Sequence, residues 1–203
     1  NFLADYKDVL ELKSSRELAQ GMVTLFTKSP SHPKSVNSVL REKYGNPDDE
    51  ADCMKTIHTT VSASKFNTFV MKYGFKLEVD EKSEKIFLLA KDLKKGQIID
   101  TEIYYTFEDL RSIIENKCRY IVYITAETKE ENGKELFDFK KAVLLTGLTF
   151  EKFIKLVKEG SIVYDIRIGV YRSGKNKGKT HDHGSGFRFQ KHSLNKVFDI
   201  EEI

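Results

Sequence analysis

Residues 5–16 read DYKDVLELKSSR, and this stretch decides the fold class that the sequence predicts. Leu10 and Leu12 alternate with Glu11 and Lys13, and a period of two residues is that of a β-strand. We therefore predict a strand over 8–16. Its two leucines are expected to face a core, while its two charged side chains leave together from the opposite face.

The remaining elements interleave strands with helices. Strands are predicted at 22–27, 55–66, 119–128, 139–147, 161–173 and 186–190, a hairpin at 75–93, and helices at 35–44, 106–118 and 149–160. This order favours an α/β fold with a mixed β-sheet flanked by helices. A chain of 203 residues suits one domain, with a catalytic part near 1–45, a recognition part near 160–192, and 48–118 as a candidate inserted subdomain.

The composition excludes several classes of protein. Hydrophobic residues make up 39% and charged residues 32% of the chain, as in a well-solvated globular protein. Two cysteines are too few for a disulfide scaffold and favour a reducing compartment. No apolar run is long enough to cross a bilayer, so no membrane partner is expected.

The positive charge is concentrated near the C-terminus. Residues 165–192 hold seven basic and two acidic side chains, a net +5, whereas the whole chain carries only +3. A basic, glycine-rich segment of this kind is typical of a protein that binds a polyanion such as nucleic acid. The alternative is a solubilising loop without a ligand.

Asp5, Glu11 and Lys13 form the first candidate site. Two carboxylates offer the hard oxygen ligands that Mg²⁺ prefers, and a nearby ammonium could position a water or balance charge on phosphorus. Such a group could hydrolyse a phosphodiester, and Arg16 at the strand end suits a phosphate backbone. Taken alone the pattern is weak, because a Glu-x-Lys pair on a strand is usually a solvated ion pair.

The second candidate site is THDHGSGFRF at 180–189. His181 and His183 could chelate zinc, although further ligands at the usual spacing are missing. They could instead read base edges together with Arg188, which can bind guanine with two hydrogen bonds. Asp165 and Arg167 alternate with isoleucines and should share one strand face. A purely structural loop is the remaining alternative.

These two segments resemble a known family. The D…ExK stretch followed by SSR…VTLFTKSP is similar to the catalytic start of MvaI/BcnI restriction endonucleases, which are related to the mismatch-repair nickase MutH within the PD-(D/E)XK superfamily. YDIRIGVYRSGKNKGKTHDHGSGFRF at 164–189 resembles their recognition end and is the more specific match.

The resemblance implies Mg²⁺-dependent, site-specific cleavage of double-stranded DNA by a monomer, as in a type II restriction system with a cognate DNA methyltransferase. It also implies a cytoplasmic location in a prokaryote. It implies Asp5, Glu11 and Lys13 as catalytic residues, with the first two as metal ligands. It implies base-pair contacts by Asp165, Arg167, His181, His183 and Arg188, with Asp182 and Lys179 as further candidates. The remaining expected DNA contacts come from charge and position, namely Arg172, Lys175 and Lys177 in the basic segment and Arg16 at the strand end.

The sequence also departs from the family pattern. Ala4 stands where the family has proline, and the irregular spacing before Glu11 leaves Asp8 as a competitor of Asp5. The family's upstream helix, which supplies another acidic residue, is expected to lie outside this sequence. Two alternatives therefore remain open, a MutH-like nicking endonuclease of repair and a non-catalytic DNA-binding fragment of a larger protein.

Overall fold

The computed structural model describes residues 4–17, 21–47 and 54–203. Fourteen strands run through this part of the chain: β1 Glu11–Arg16, β2 Met22–Thr27, β3 Asn46–Pro47, β4 Lys55–Val61, β5 Tyr73–Asp80, β6 Lys85–Asp92, β7 Gln97–Asp100, β8 Tyr104–Thr106, β9 Ile121–Glu131, β10 Lys134–Thr146, β11 Ile162–Val170, β12 Thr180–Asp182, β13 Gly186–Gln190 and β14 Asp199–Glu202. The α-helices of the same part are α1 Val36–Tyr44, α2 Phe107–Lys117, α3 Phe150–Lys158 and α4 Leu194–Val197.

The chain forms two compact units. The first combines residues 1–23, 110–153 and 189–203, and the second combines 24–109 and 154–188. Glu11 and Lys13 belong to the first unit, whereas the segment 165–188 belongs to the second. A single nuclease domain over 1–203 stays a prediction.

The first unit is built on a mixed four-stranded sheet in the order β1-β9-β10-β14. β1 pairs with β9 in parallel, with Glu11 opposite Ile121 and Lys13 opposite Tyr123. β9 and β10 form a long antiparallel hairpin, and β10 also pairs with β14. The parallel pair joins segments distant in sequence and fixes the candidate catalytic strand against the buried start of β9.

The second unit contains most of a six-stranded sheet in the order β2-β13-β11-β4-β3, with β12 paired to β11. On β11 the even-numbered residues from Ile162 to Ile168 are fully buried. The rings of Tyr105, Tyr164 and Phe187 pack edge to face or tilted, with centroids 5.2–5.4 Å apart. This aromatic core holds one face of β11 and leaves the other face for polar side chains.

A smaller antiparallel sheet of β5, β6, β7 and β8 completes the second unit. It lies within the candidate inserted subdomain 48–118, and the hairpin predicted at 75–93 is confirmed with β5 and β6 in register. The predicted α/β class with a mixed sheet is also confirmed.

The helix boundaries follow local capping. Thr106 Oγ1 accepts a 3.2 Å hydrogen bond from the backbone N–H of Asp109, and Thr149 Oγ1 accepts one of the same length from Lys152. Gly160 follows α3 with φ +75°, a conformation that glycine adopts without strain. Among the described residues, none of the helices has the length and apolarity needed to span a membrane.

Candidate functional site

A tight turn explains the irregular spacing between Asp5 and Glu11. Tyr6 and Leu10 form an antiparallel bridge in which each backbone N–H bonds to the other's carbonyl, at 2.9 and 3.1 Å. The two acidic residues therefore flank this bridge on neighbouring segments. Asp8 lies at the tip of the turn with φ +58°, so the geometry favours Asp5 as the partner of Glu11.

Asp5 is fastened directly to the start of β1. Its Oδ2 accepts a 3.0 Å hydrogen bond from the backbone N–H of Leu12. This bond holds the Asp5 carboxylate beside the strand that carries Glu11.

The prediction that Leu10 and Leu12 face the core is wrong. Leu12 is 50% exposed and Leu10 is half-buried, whereas Glu11 is only 8% exposed. The polar face of β1 points inward because the buried carboxylate has cationic partners. Lys13 Nζ lies 3.3 Å from Glu11 Oε1, and Lys117 Nζ lies 3.7 Å from Glu11 Oε2.

The donor atoms of this site fit a divalent cation. Glu11 Oε2 is buried and has no hydrogen-bond partner, an arrangement that leaves one carboxylate oxygen for a further ligand. Within the described ranges no set of three or more His, Cys, Asp or Glu side chains could hold a metal ion. Two carboxylates nevertheless suit Mg²⁺, which commonly uses one or two together with waters and phosphate oxygens.

An interstrand hydrogen bond and a buried thiol lie near the candidate site. Ser15 and Tyr123 hydroxyls are 2.6 Å apart, which ties β1 to β9. The Cys118 thiol is buried close to Glu11, Lys13 and Lys117, and burial raises its pKa to about 12. Cys118 is therefore a protonated packing group here, and the charged groups beside it are held in a water-poor environment.

In the second unit, Asp165 organises the predicted recognition residues. Its carboxylate is almost completely buried, and its Oδ2 lies 2.7 Å from Arg167 Nε and 3.2 Å from Arg188 Nε. Arg188 also donates a 2.9 Å hydrogen bond to the carbonyl of Gly184. The structure thus brings these three predicted residues together and orients both guanidinium groups from one fixed anion.

Strand β4 adds two residues that the sequence interpretation missed. Thr60 donates a 2.8 Å hydrogen bond to Asp165 Oδ1, and His58 stands opposite Arg167 in the strand register. Both side chains are exposed on the same face of the sheet as Asp165 and Arg167. In the sequence, the only signal for these two residues was the alternation of His58 and Thr60 with Ile57 and Val61. Such alternation predicts a strand but does not indicate which other strand pairs with it.

The rings of His58, His181 and His183 lie close together on that face. His181 stacks on Tyr171 at 4.1 Å and lies 4.1 Å from His183, whose ring is 6.3 Å from that of His58. Burial, followed by the proximity of His181 and His58, lowers the pKa of His183 below its usual value. This shift favours the neutral imidazole of His183, which can both donate and accept hydrogen bonds.

Asp182 has a structural role in its loop. Its Oδ1 accepts backbone hydrogen bonds from Gly184 and Ser185 at 3.0 and 2.7 Å. Its Oδ2 accepts from Ser29 and Asn37 at 3.3 and 3.0 Å. These bonds use both carboxylate oxygens, so Asp182 shapes the loop that presents His181 and His183.

The remaining predicted residues are exposed cations. Arg172, Lys175, Lys177 and Lys179 lie in and around the loop between β11 and β12, and Lys179 donates a 3.1 Å hydrogen bond to Asn176 Oδ1. Arg16 belongs to the first unit, where its guanidinium pairs with Glu135 at 3.0 Å. A phosphate contact by Arg16 would have to compete with that pair.

Comparisons with known proteins identify the family of this chain. Residues 3–198 match the MvaI/BcnI restriction endonuclease family. A solved structure described as the restriction endonuclease MvaI–cognate DNA substrate complex is similar at 36% identity and a TM-score of 0.89, covering 100% of this chain and 81% of that one.

A second solved structure, described as restriction endonuclease MvaI in the absence of DNA, has 37% identity and a TM-score of 0.74 and covers 98% of this chain and 80% of that one. The search of curated proteins gave no match. The family match covers both candidate sites and favours a restriction enzyme over a MutH-like nickase or a non-catalytic fragment. The chain thus belongs to the MvaI/BcnI restriction endonuclease family and is a site-specific type II restriction endonuclease.

Proposed function

We propose that this enzyme hydrolyses phosphodiester bonds of double-stranded DNA with Mg²⁺, using a PD-(D/E)XK-type site made of Asp5, Glu11 and Lys13. The observation that carries the proposal is the buried Glu11 carboxylate, which faces Lys13 through Oε1 and has an unbonded Oε2. Burying such a pair is costly for stability alone, so its retention on an inward strand face favours a chemical role.

Each residue has a separate task in this proposal. Glu11 Oε2 and the Asp5 carboxylate would hold the cation, while the bond from Leu12 N–H keeps Asp5 in place. The bound cation would supply Lewis-acid stabilisation of the phosphoryl oxygens and a lowered pKa for attacking water. Lys13 would orient that water and stabilise negative charge developing on the phosphate.

We further propose that the outer face of β11 and its neighbours reads the DNA sequence. Arg167 and Arg188 are aimed by Asp165, and His181 and His183 are presented by the Asp182 loop. These side chains carry the donors and acceptors that distinguish base edges. Lys175, Lys177, Lys179 and Arg172 would contact phosphates and supply sequence-independent affinity.

The solved relative whose description includes a cognate DNA substrate supports double-stranded DNA as the ligand here. A monomeric, cytoplasmic enzyme with a cognate DNA methyltransferase is part of the same proposal. The methyltransferase is included because a cell that makes a restriction enzyme must protect the recognition sites in its own DNA.

Incubation with plasmid DNA in Mg²⁺ or in EDTA tests this function. We expect discrete fragments with Mg²⁺ and intact plasmid with EDTA, and sequencing of the fragment ends gives the recognition site. Discrete cleavage in EDTA would contradict the metal dependence. A salt-sensitive gel shift without any cleavage would contradict the catalytic assignment.

A further inference from the structure

Lys117 is a second lysine at the proposed active site, and neither the D…ExK motif nor the family match assigns it a role. It is the last residue of α2, and its Nζ lies 3.7 Å from Glu11 Oε2. Lys13 lies 3.3 Å from the other oxygen of the same carboxylate. Both oxygens of Glu11 therefore face an ammonium group.

The two lysines are not equivalent partners. Lys13 donates a hydrogen bond to Oε1 and leaves from the same face of β1 as Glu11. Lys117 comes from a helix end, and at 3.7 Å its ammonium pairs with Oε2 without a hydrogen bond. Its side chain is 23% exposed, compared with 16% for Lys13.

We infer that Lys117 is a counter-ion of Glu11 and competes with a divalent cation for Oε2. This inference rests on the metal site proposed above. Oε2 is the Glu11 oxygen without a hydrogen bond, and a buried carboxylate requires a neighbouring positive charge. Lys117 supplies that charge, and it opposes the entry of a second cation at the same oxygen.

The inference makes a directional prediction for metal affinity. Replacing Lys117 with glutamine removes both the competing ion pair and a positive charge beside the cation. We expect Lys117→Gln to bind Mn²⁺ about 3- to 10-fold more tightly than the wild type. Electrostatic repulsion between one ammonium group and the cation has an effect of this size when solvent partly screens it. Lys117→Arg keeps the charge and should bind Mn²⁺ as the wild type does.

The experiment is a titration of the DNA-free protein with Mn²⁺, in which electron paramagnetic resonance reports the free ion. Lys134→Gln is the matched control, because it removes an exposed lysine of β10 in the same unit. Glu11→Gln identifies the site, since it should abolish the binding that Lys117→Gln strengthens. Thermal melting in EDTA gives a second readout, and Lys117→Gln should melt below the wild type because Glu11 loses one of its two cations.

The outcomes separate the inference from the proposed function. Glu11-dependent Mn²⁺ binding that Lys117→Gln leaves unchanged or weakens overturns the inference while the metal site stands. The favourable placement of a lysine at a helix C-terminus would then explain Lys117. Mn²⁺ binding that does not depend on Glu11 overturns the metal site, and the inference with it.

Discussion

The hydroxyl of Thr60 on β4 donates a 2.8 Å hydrogen bond to Oδ1 of the buried Asp165 carboxylate on β11. Arg167 and Arg188 take the other oxygen, so Thr60 completes the set of groups that fixes Asp165. The strand register places Thr60 opposite Asp165 although the two residues are 105 positions apart in sequence. Thr60 is thus a positioning residue for the recognition face.

We expect Thr60→Val to weaken specific DNA binding by about 1–2 kcal/mol, because a hydrogen bond to a buried charge is lost. Fluorescence anisotropy on a duplex with the recognition site measures the change. Thr60→Ser keeps the hydroxyl and should retain wild-type affinity. An equal loss on a duplex without the site would mean that Thr60 acts through general affinity and not through Asp165.

Gly169 lies directly beneath the His183 ring. A methyl group at this position would come within 2.8 Å of His183 Nε2, too close for any real contact. Gly169→Ala should therefore displace His183 and reduce specific binding about as much as His183→Ala does. In a double-mutant cycle, Gly169→Ala should have little further effect once His183 is alanine. Additive losses would show that Gly169 matters for another reason.

Variants of Arg188 and Lys175 distinguish base recognition from phosphate binding. Arg188→Ala should cost about 1–3 kcal/mol on the cognate duplex and relax specificity at one base pair. The loss includes the effect on Asp165, which keeps only Arg167 as its cationic partner. Competition among duplexes that differ at single positions measures it, and a loss that is uniform across those duplexes would contradict a role in reading bases.

Lys175→Ala should weaken binding to all duplexes alike. Its side chain is exposed in the loop between β11 and β12, where a phosphate contact would release one counterion. The slope of log affinity against log salt should fall by about one. A selective loss on the cognate duplex, with an unchanged salt slope, would assign Lys175 to base recognition.

Cys118 should be inert to alkylation in the folded enzyme. Its pKa of about 12 means that at pH 8 only about one thiol in 10,000 is ionised, and the thiolate is the reactive form. Iodoacetamide followed by peptide mapping should find Cys118 unmodified in native protein and modified after unfolding. Native labelling as fast as that of a free thiol would contradict the buried packing around Glu11.

Local periodicity predicted the elements of the recognition face well. The alternation along 161–173 put Asp165 and Arg167 on one face, and β11 confirms this arrangement because its isoleucines fill the opposite, aromatic core. The hairpin at 75–93 was predicted from its polar tip between two apolar runs. Such signals depend on neighbours in sequence, so they can be read without knowing the tertiary structure.

Other features depend on contacts distant in sequence. Leucine alternation gave the wrong inward face for β1, because Glu11 is buried against Lys117, which lies 106 positions away. The pairing of β4 with β11 likewise brings Thr60 to Asp165. The bond between Asp5 and the backbone of Leu12 needs a turn with positive φ at non-glycine residues, which sequence patterns do not signal.

Cleavage and binding by the Lys13→Ala variant test the central claim most directly. We expect single-turnover cleavage in Mg²⁺ to fall by at least about 100-fold, because Lys13 would stabilise charge only during the reaction. Binding of the same duplex in Ca²⁺ should stay close to that of the wild type and of Lys134→Ala. Cleavage by Lys13→Ala at the wild-type rate would contradict the assignment of Glu11 and Lys13 as the catalytic pair.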